Sequence, residues 1–185
     1  MNIADIQQQI SDADGEDSTS LPPVDKWDPD FCGNMNLVIK RSGQWWHEGT
    51  PFTRSKLIKL LASVLKKEGN DYFLVTPVEK IGIQVEDVPF LVIDAQAVNN
   101  GIKISTQTGD SLVLSIDYPV ELREFEGNLV PYCLIRRNLW ARVHQNVLYR
   151  WVDEATEVQR DGNTELHLSS NNYTFSIGKF KAPSK

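Results

Sequence analysis

Long apolar runs are missing from this 185-residue chain, and with them any ordinary membrane-spanning helix, which needs about 18 consecutive apolar residues. The opening stretch, Met1-Asn2-Ile3-Ala4-Asp5-Ile6-Gln7-Gln8-Gln9-Ile10, has no basic region followed by an apolar one. No signal peptide is therefore expected, and the expected location is cytoplasmic. Cysteine is scarce. Cys32 and Cys133 stand far apart and no Cys-x-x-Cys occurs, so two reduced thiols are expected rather than a disulfide framework. Glycine-rich phosphate loops are absent. Neither Gly-x-Gly-x-x-Gly nor Gly-x4-Gly-Lys-Ser/Thr is present, which disfavours dinucleotide and P-loop nucleotide binding.

Metal and nucleophile patterns are missing as well. His47, His144 and His167 are the three histidines. None lies three or four residues from another or from a cysteine, so no metal ligand set is expected. There is no Gly-x-Ser-x-Gly elbow. No cofactor and no catalytic residue are assigned, and the chain is expected not to be an enzyme. Basic charge is also in short supply. With 19 Lys and Arg against 25 Asp and Glu, the formal net charge is −6. Such a surface repels bulk nucleic acid and anionic membranes.

What is present is ordinary globular composition, 41% hydrophobic and 24% charged. Ile3, Ile6 and Ile10 stand at helical spacing. Residues 11–20 lack apolar anchors, so residues 1–21 are expected to be a mobile acidic segment. Next comes a hairpin, Leu37-Val38-Ile39-Lys40-Arg41 and Gln44-Trp45-Trp46-His47-Glu48, turning at Ser42-Gly43. Thr50-Pro51 opens a helix whose apolar face is Leu57, Leu61, Val64 and Leu65, with Gly69 as its stop. Strands 72–75 and 81–85 complete a β-β-α-β-β unit over residues 22–89.

The region 90–185 begins with strands 90–93, 102–105 and 112–116. It then repeats the first order. Tyr132–Arg136 and Leu139–Val143 precede a helix bearing Val147, Leu148, Trp151, Val152 and Ala155. Asp161-Gly162-Asn163 turns the hairpin that follows, and Tyr173, Phe175 and Ile177 close the set. The fold expected is α+β, two structurally similar β-rich domains from an internal duplication, each with one main helix.

Several motifs resemble the bacterial domain-of-unknown-function family 1285. They are Pro22-Pro23 with Trp27, Cys32-Gly33, Arg54 and Leu57, and above all Leu74-Val75-Thr76-Pro77-Val78-Glu79-Lys80 followed by Val85-Glu86-Asp87-Val88-Pro89-Phe90. Gly109-Asp110, Pro131-Tyr132 and the stretch from Arg136 to Arg142 also fit. The resemblance spans roughly residues 22–178. It departs at Val88, where a small residue is expected, and the N-terminal segment lies outside it. It implies a repeated two-domain fold whose C-terminal half is superficially similar to pleckstrin-homology-like domains. It also implies no assigned enzymatic activity, a site between the halves and a role in signal transduction.

The candidate site residues follow from loop position, charge and the resemblance. The Pro77-Val78-Glu79-Lys80 loop joins two strands, a place where function concentrates. Arg136, Arg137, Arg142 and Arg150 are interleaved with Trp140, Tyr149 and Trp151. That mixture favours carboxylate or phosphate partners and stacking, or else salt bridges to Glu79, Glu86 or Asp87. Asp87 can also hold its own turn. Trp45 and Trp46 point to opposite faces of a strand, so one is core and the other walls a cleft. The expected ligand-binding residues at the domain interface are Trp46, Arg54, Glu79, Lys80, Glu86, Asp87, Arg136 and Arg142. The four cations would hold a small anionic metabolite or nucleotide-like signal, and the carboxylates would orient them. Two rivals remain open: an adaptor that docks a protein partner without a small ligand, and a thiol-dependent enzyme using Cys32 or Cys133.

Overall fold

Alternation of apolar and polar residues, not helical periodicity, governs most of this chain, and strands dominate its structure. The computed structural model describes residues 3–14 and 21–181. The chain divides into two compact units, Met1–Asp87 and Val88–Lys185.

The first unit opens with helix α1 (Ile3–Asp14), whose Ile6 and Ile10 are fully buried. The helical spacing of Ile3, Ile6 and Ile10 thus belongs to a helix that continues to Asp14, and residues 15–20 of the segment expected to be mobile lie outside the described residues. After a 3-10 turn at Val24–Lys26 come β1 (Phe31–Ile39), β2 (Trp45–His47), β3 (Thr50–Pro51), helix α2 (Ser55–Ser63), β4 (Leu65–Glu68), β5 (Asp71–Val75) and β6 (Lys80–Val85). They form one sheet in the order β3-β2-β1-β6-β5-β4. All its pairs are antiparallel except β1 with β6.

Helix α2 is shorter than expected at both ends. Thr50–Pro51 is an edge strand, a place where proline's missing N–H costs little. Leu65–Glu68 pairs with β5 across the two-residue turn Gly69-Asn70. Gly69 sits at φ +60°, a conformation that glycine adopts without strain. It closes a hairpin rather than a helix. Cross-strand packing wins over helical spacing here: Lys67 lies over the Tyr72 ring and Leu65 faces Leu74.

The second unit contains β7 (Phe90–Val98), β8 (Gly101–Thr106), β9 (Ser111–Val113), β10 (Val120–Phe125), β11 (Asn128–Arg136), β12 (Leu139–Val143), helix α3 (Gln145–Glu154), β13 (Thr156–Arg160), β14 (Asn163–Ser170) and β15 (Tyr173–Lys181). Its six-stranded sheet has the order β10-β11-β12-β7-β8-β9, and β13-β14-β15 form a second sheet. Again a single pair is parallel, β12 with β7. Read from its other edge, this sheet is 9-8-7-12-11-10, the same topology as 3-2-1-6-5-4. The two β-rich units are therefore alike, as a duplication requires. The equivalence differs from the one that the sequence suggests, because the helix interrupts the sheet strands in the first unit and follows them in the second.

In each unit one sheet face is core. In the first, Leu37, Ile39, Trp45, Leu74, Ile81 and Leu65 are buried. In the second, Phe90, Val92, Cys133, Leu139, Ala141 and Val143 are buried, along with Val147 and Trp151 of α3. Burying a side chain of this size contributes about 1.5–3 kcal/mol. Helix α3 starts at His144, whose Nδ1 accepts a hydrogen bond from the Asn146 backbone N–H. Replacing His144 with Ala should lower stability by about 1 kcal/mol, the worth of a typical N-cap. His144→Asp, itself a good cap, should restore it. Chemical denaturation of the three proteins measures both.

Candidate functional site

Of the eight expected site residues, six belong to the first unit and two to the second. The first sheet has an open face on the side away from Trp45. Cross-strand pairing of Trp46 with Val38, Val38 with Gln84, and Phe31 with Lys80 puts Trp46 and Lys80 on that face. Trp46 is half-buried, and Lys40 lies 5.7 Å over its ring. Trp45 is core, as the alternation predicts. Lys80 pairs with Glu68 at 2.9 Å and lies 5.1 Å over Phe73, whose ring meets the exposed Phe31 edge-on. Glu86 binds Lys40 at 2.9 Å and the Arg41 backbone N–H at 3.0 Å. These bonds hold its carboxyl below the usual range.

The remaining three lie in loops. Arg54 is exposed at the N-cap position of α2 without a side-chain capping bond. Glu79 is half-buried in the loop organised by Thr76, whose hydroxyl accepts from the Glu79 N–H at 3.0 Å and donates to Gln9 at 2.7 Å. Asp87 is half-buried at the end of the unit.

In the second unit the structure separates Arg136 from Arg142. Leu134 pairs with Trp140, but Arg136 pairs with Leu139, so a bulge at Ile135 shifts the register. One extra residue turns the next side chain to the other face. Arg136 therefore points inward, 4.7 Å over the buried Phe90 ring, and forms an ion pair with Asp110. Its side chain is 11% exposed and that of Asp110 14%. Burial, with the Arg137 charge beside it, pulls the Arg136 pKa down to about 10. Asp110 supplies the counter-charge and also accepts from Thr106 at 3.0 Å and Thr108 at 2.8 Å. This arrangement ties the β8–β9 turn to the end of β11. Arg136, expected from sequence to line an anion site with Arg142, thus faces the core of its own unit and pairs there with Asp110.

Arg142 stays on the open face with a set of residues that sequence reasoning overlooked. Strand β10 alternates Val-Glu-Leu-Arg-Glu-Phe, and its pairing with β11 puts Glu121, Arg123 and Phe125 on one side. The Arg142 guanidinium lies 3.8 Å over Phe125. That of Arg123 lies 4.0 Å over Trp140 and 5.2 Å over Tyr132, and Glu121 accepts two hydrogen bonds from it. Stacked guanidinium groups on aromatic faces contribute about 0.5–2 kcal/mol each, and they fix the long side chains in place. Beside them is a concavity of about 460 Å³, bounded by Phe125, Asn128, Leu129, Arg142, Gln145 and Tyr149 among others. The alternation of β10 and the Glu126-Gly127 turn were the available signals, since both residues take positive φ as a tight hairpin demands.

The thiols do not form a site within either unit. Cys133 is fully buried in β11, and burial pushes its pKa up, against the thiolate that nucleophilic chemistry needs. Cys32 is exposed in β1 and donates to the Asp30 carbonyl at 3.2 Å. The two cysteines do not occupy equivalent strands of the two sheets. Among the described residues no group of three or more His, Cys, Asp or Glu converges as a metal site, and no helix is long and apolar enough to cross a membrane.

Two outcomes test this geometry. Arg136→Met or Asp110→Asn alone strands one buried charge and should cost about 3–5 kcal/mol. The double replacement should recover most of that loss in denaturant unfolding. Hydrogen bonds from Lys80 and Lys66 hold the Glu68 carboxyl below the usual carboxylate range. A carboxylate with a depressed folded-state pKa stabilises the fold above its unfolded pKa, and this contribution fades as pH falls through the folded value. Glu68→Gln should therefore flatten the decline of the unfolding midpoint below about pH 4.5.

Comparison with known proteins places this geometry in a family. The model for the N-terminal domain of DUF1285, a domain of unknown function, matches residues 22–88. The model for the C-terminal domain of DUF1285, a protein of unknown function, matches residues 89–177. The crystal structure of a DUF1285 family protein from Silicibacter pomeroyi DSS-3 is similar, with a TM-score of 0.79 and 32% identity over 92% of this chain and 94% of that one. A DUF1285 family protein from Shewanella baltica OS155 is similar at a TM-score of 0.54 and 29% identity over 65% of this chain and 92% of that one. No curated protein matches at a significant level. The motifs around Thr76-Pro77-Val78-Glu79-Lys80 and Val85-Glu86-Asp87, the two like sheets and the matches to both domain models agree, and the chain belongs to the DUF1285 family.

Proposed function

We propose that this chain is a non-enzymatic binding protein whose second unit receives a ligand at the Arg142 face, and that its wider role lies in signal transduction. One observation carries the binding reading: a stacked arginine, Arg142 over Phe125, walls a concavity large enough for a small molecule. Small-molecule sites are concave, mostly apolar and carry few well-placed polar groups. Arg142, Gln145 and Asn128 are such groups here, set among Leu129, Val130 and Leu148. The signalling role rests on the family resemblance alone. Of the residues expected from sequence, Arg142 belongs to this proposed site. Arg136 serves the fold instead.

A second reading is favoured by a different observation. Phe31 is 55% exposed on the open face of the first sheet, beside Lys80 and Phe73. An exposed aromatic among paired charges is a natural contact for a protein partner, and on this reading the chain is an adaptor.

A ligand screen on the full chain decides between them. Thermal shifts against organic acids, nucleotides and amino-acid derivatives should reveal a compound that stabilises the protein by several degrees at about 100 times its dissociation constant. Arg142→Ala should abolish that shift and Phe31→Ser should not. A library that yields no Arg142-dependent shift rejects the small-ligand reading.

A further inference from the structure

From the charge balance and the open hydrogen-bonding groups of the Arg142 concavity, we infer that its ligand is an uncharged carboxamide with a compact apolar body. The inference rests on the binding reading above and narrows its ligand class.

Charge is the first argument. Of the residues lining the concavity, Arg142 is the one cation and Glu126 the one acid, so the lining is neutral as a whole. Both charges are already engaged. The Arg142 guanidinium lies 3.8 Å over the Phe125 ring, and Arg142 and Glu126 each have a further partner. The neighbouring arginines are matched too, Arg150 with Asp94 at 2.9 Å and Arg123 with Glu121 at 2.9 Å. An ion entering this space gives up water and meets no open counter-charge, and a charge buried without a partner is costly. Arg142 also repels a cation, and Glu126 an anion. An uncharged ligand escapes both penalties.

Hydrogen bonding is the second argument. The Asn128 side-chain N–H donates to the Glu126 backbone carbonyl at 3.3 Å, and the Gln145 side-chain N–H donates to the Tyr149 hydroxyl. A side-chain amide has two N–H donors and one carbonyl acceptor. One N–H and the carbonyl oxygen of each therefore have no partner among the described residues, and the Tyr149 O–H is left to donate. Donors and acceptors thus stand open side by side, and none of them is charged. A carboxamide carries the same pair of groups and can bond in both directions. A carboxylate only accepts and an ammonium only donates, so either leaves part of this set unmatched, which costs free energy once water is excluded.

Shape is the third argument. A volume of about 460 Å³ is in the lower half of the range for small-molecule sites, about 300–1,000 Å³. Leu129, Val130 and Leu148 offer apolar surface to the body of a ligand, while Asn128, Gln145 and the exposed Tyr149 supply the polar groups for its head.

The test is calorimetric titration of the full chain with four compounds that share one body: 3-phenylpropionamide, its N,N-dimethyl derivative, 3-phenylpropionate and 3-phenylpropylammonium. The primary amide should bind with a dissociation constant below about 1 mM. Each of the other three should bind at least about tenfold more weakly, the two ions for want of a counter-charge and the dimethyl amide for want of an N–H. Leu129→Trp, at an exposed position, should block the amide by filling the space. Gln145→Glu places an unmatched acid in the lining at the first residue of α3, where the helix dipole favours it. It should strengthen binding of the ammonium by at least about tenfold and weaken that of the amide. Circular dichroism and the melting temperature confirm that each variant is folded. Tightest binding by either ion, or equal binding of the two amides, with Leu129→Trp still blocking, overturns the carboxamide class and leaves the site standing. Failure of all four compounds to bind, or binding indifferent to Leu129→Trp, overturns the class and the site together.

Discussion

One parallel strand pair holds each half of this protein together. Each six-stranded sheet consists of two antiparallel three-stranded meanders, and the first strand of one lies parallel to the last strand of the other: β1 beside β6, and β7 beside β12. Meanders form from local contacts, but a parallel pair joins segments distant in sequence and cannot be closed by a hairpin. Phe31–Ile39 must find Lys80–Val85, and Phe90–Val98 must find Leu139–Val143. The strands meeting there carry buried residues such as Ile39, Ile81, Phe90 and Ala141. Hydrophobic burial therefore supplies the attraction at the point where chain entropy opposes closure most. Sharing this joint makes the two units alike despite their differently placed helices.

The same joint decides where charge goes. With one face of each sheet committed to the core, the cationic and aromatic residues of alternate positions collect on the other. In the first sheet Lys80 lies over Phe73, and in the second Arg123 lies over Trp140 and Arg142 over Phe125. An acidic chain thus keeps a few cations in fixed, partly desolvated settings, where their hydrogen bonds are stronger than in open water. The bulge at Ile135 makes one exception. It removes Arg136 from this face and spends its charge on Asp110, leaving Arg142 as the cation of the concavity.

Much of this was legible in the sequence. Alternation located the strands at 81–85 and 173–177, apolar runs those at 72–75 and 132–136, helical spacing located α3, and Asp161-Gly162 located the β13–β14 turn. Family motifs placed the chain correctly. Trp45 and Trp46 divided between core and open face as period-two geometry requires. Other elements gave weaker or misleading signals. Leu61, Val64 and Leu65 fit a helix as well as a helix followed by a strand, and Gly69-Asn70 is equally a helix stop and a hairpin turn. The start of β1, Phe-Cys-Gly-Asn-Met-Asn, has no alternation because two register shifts interrupt its pairing with β6. The candidate site was half legible. The mixture of arginine and aromatic residues between 136 and 151 pointed to the strand and helix that border the proposed site, but a one-residue bulge has no composition signal, so Arg136 and Arg142 looked equivalent. Phe125 and Arg123 were missed with the alternating strand that carries them.

The central claim, that the Arg142 face of the second unit is a ligand site, is tested most directly by nuclear magnetic resonance on isotopically labelled protein. The resonances to follow during titration with 3-phenylpropionamide are the Arg142 side-chain Nε–H and the backbone amides of residues 125–130 and 145–149. The account predicts saturable shifts confined to these groups, with the Trp46 indole and the Lys80 amide unmoved. Shifts centred on Trp46 and Lys80, or none at any concentration up to about 10 mM, would contradict it.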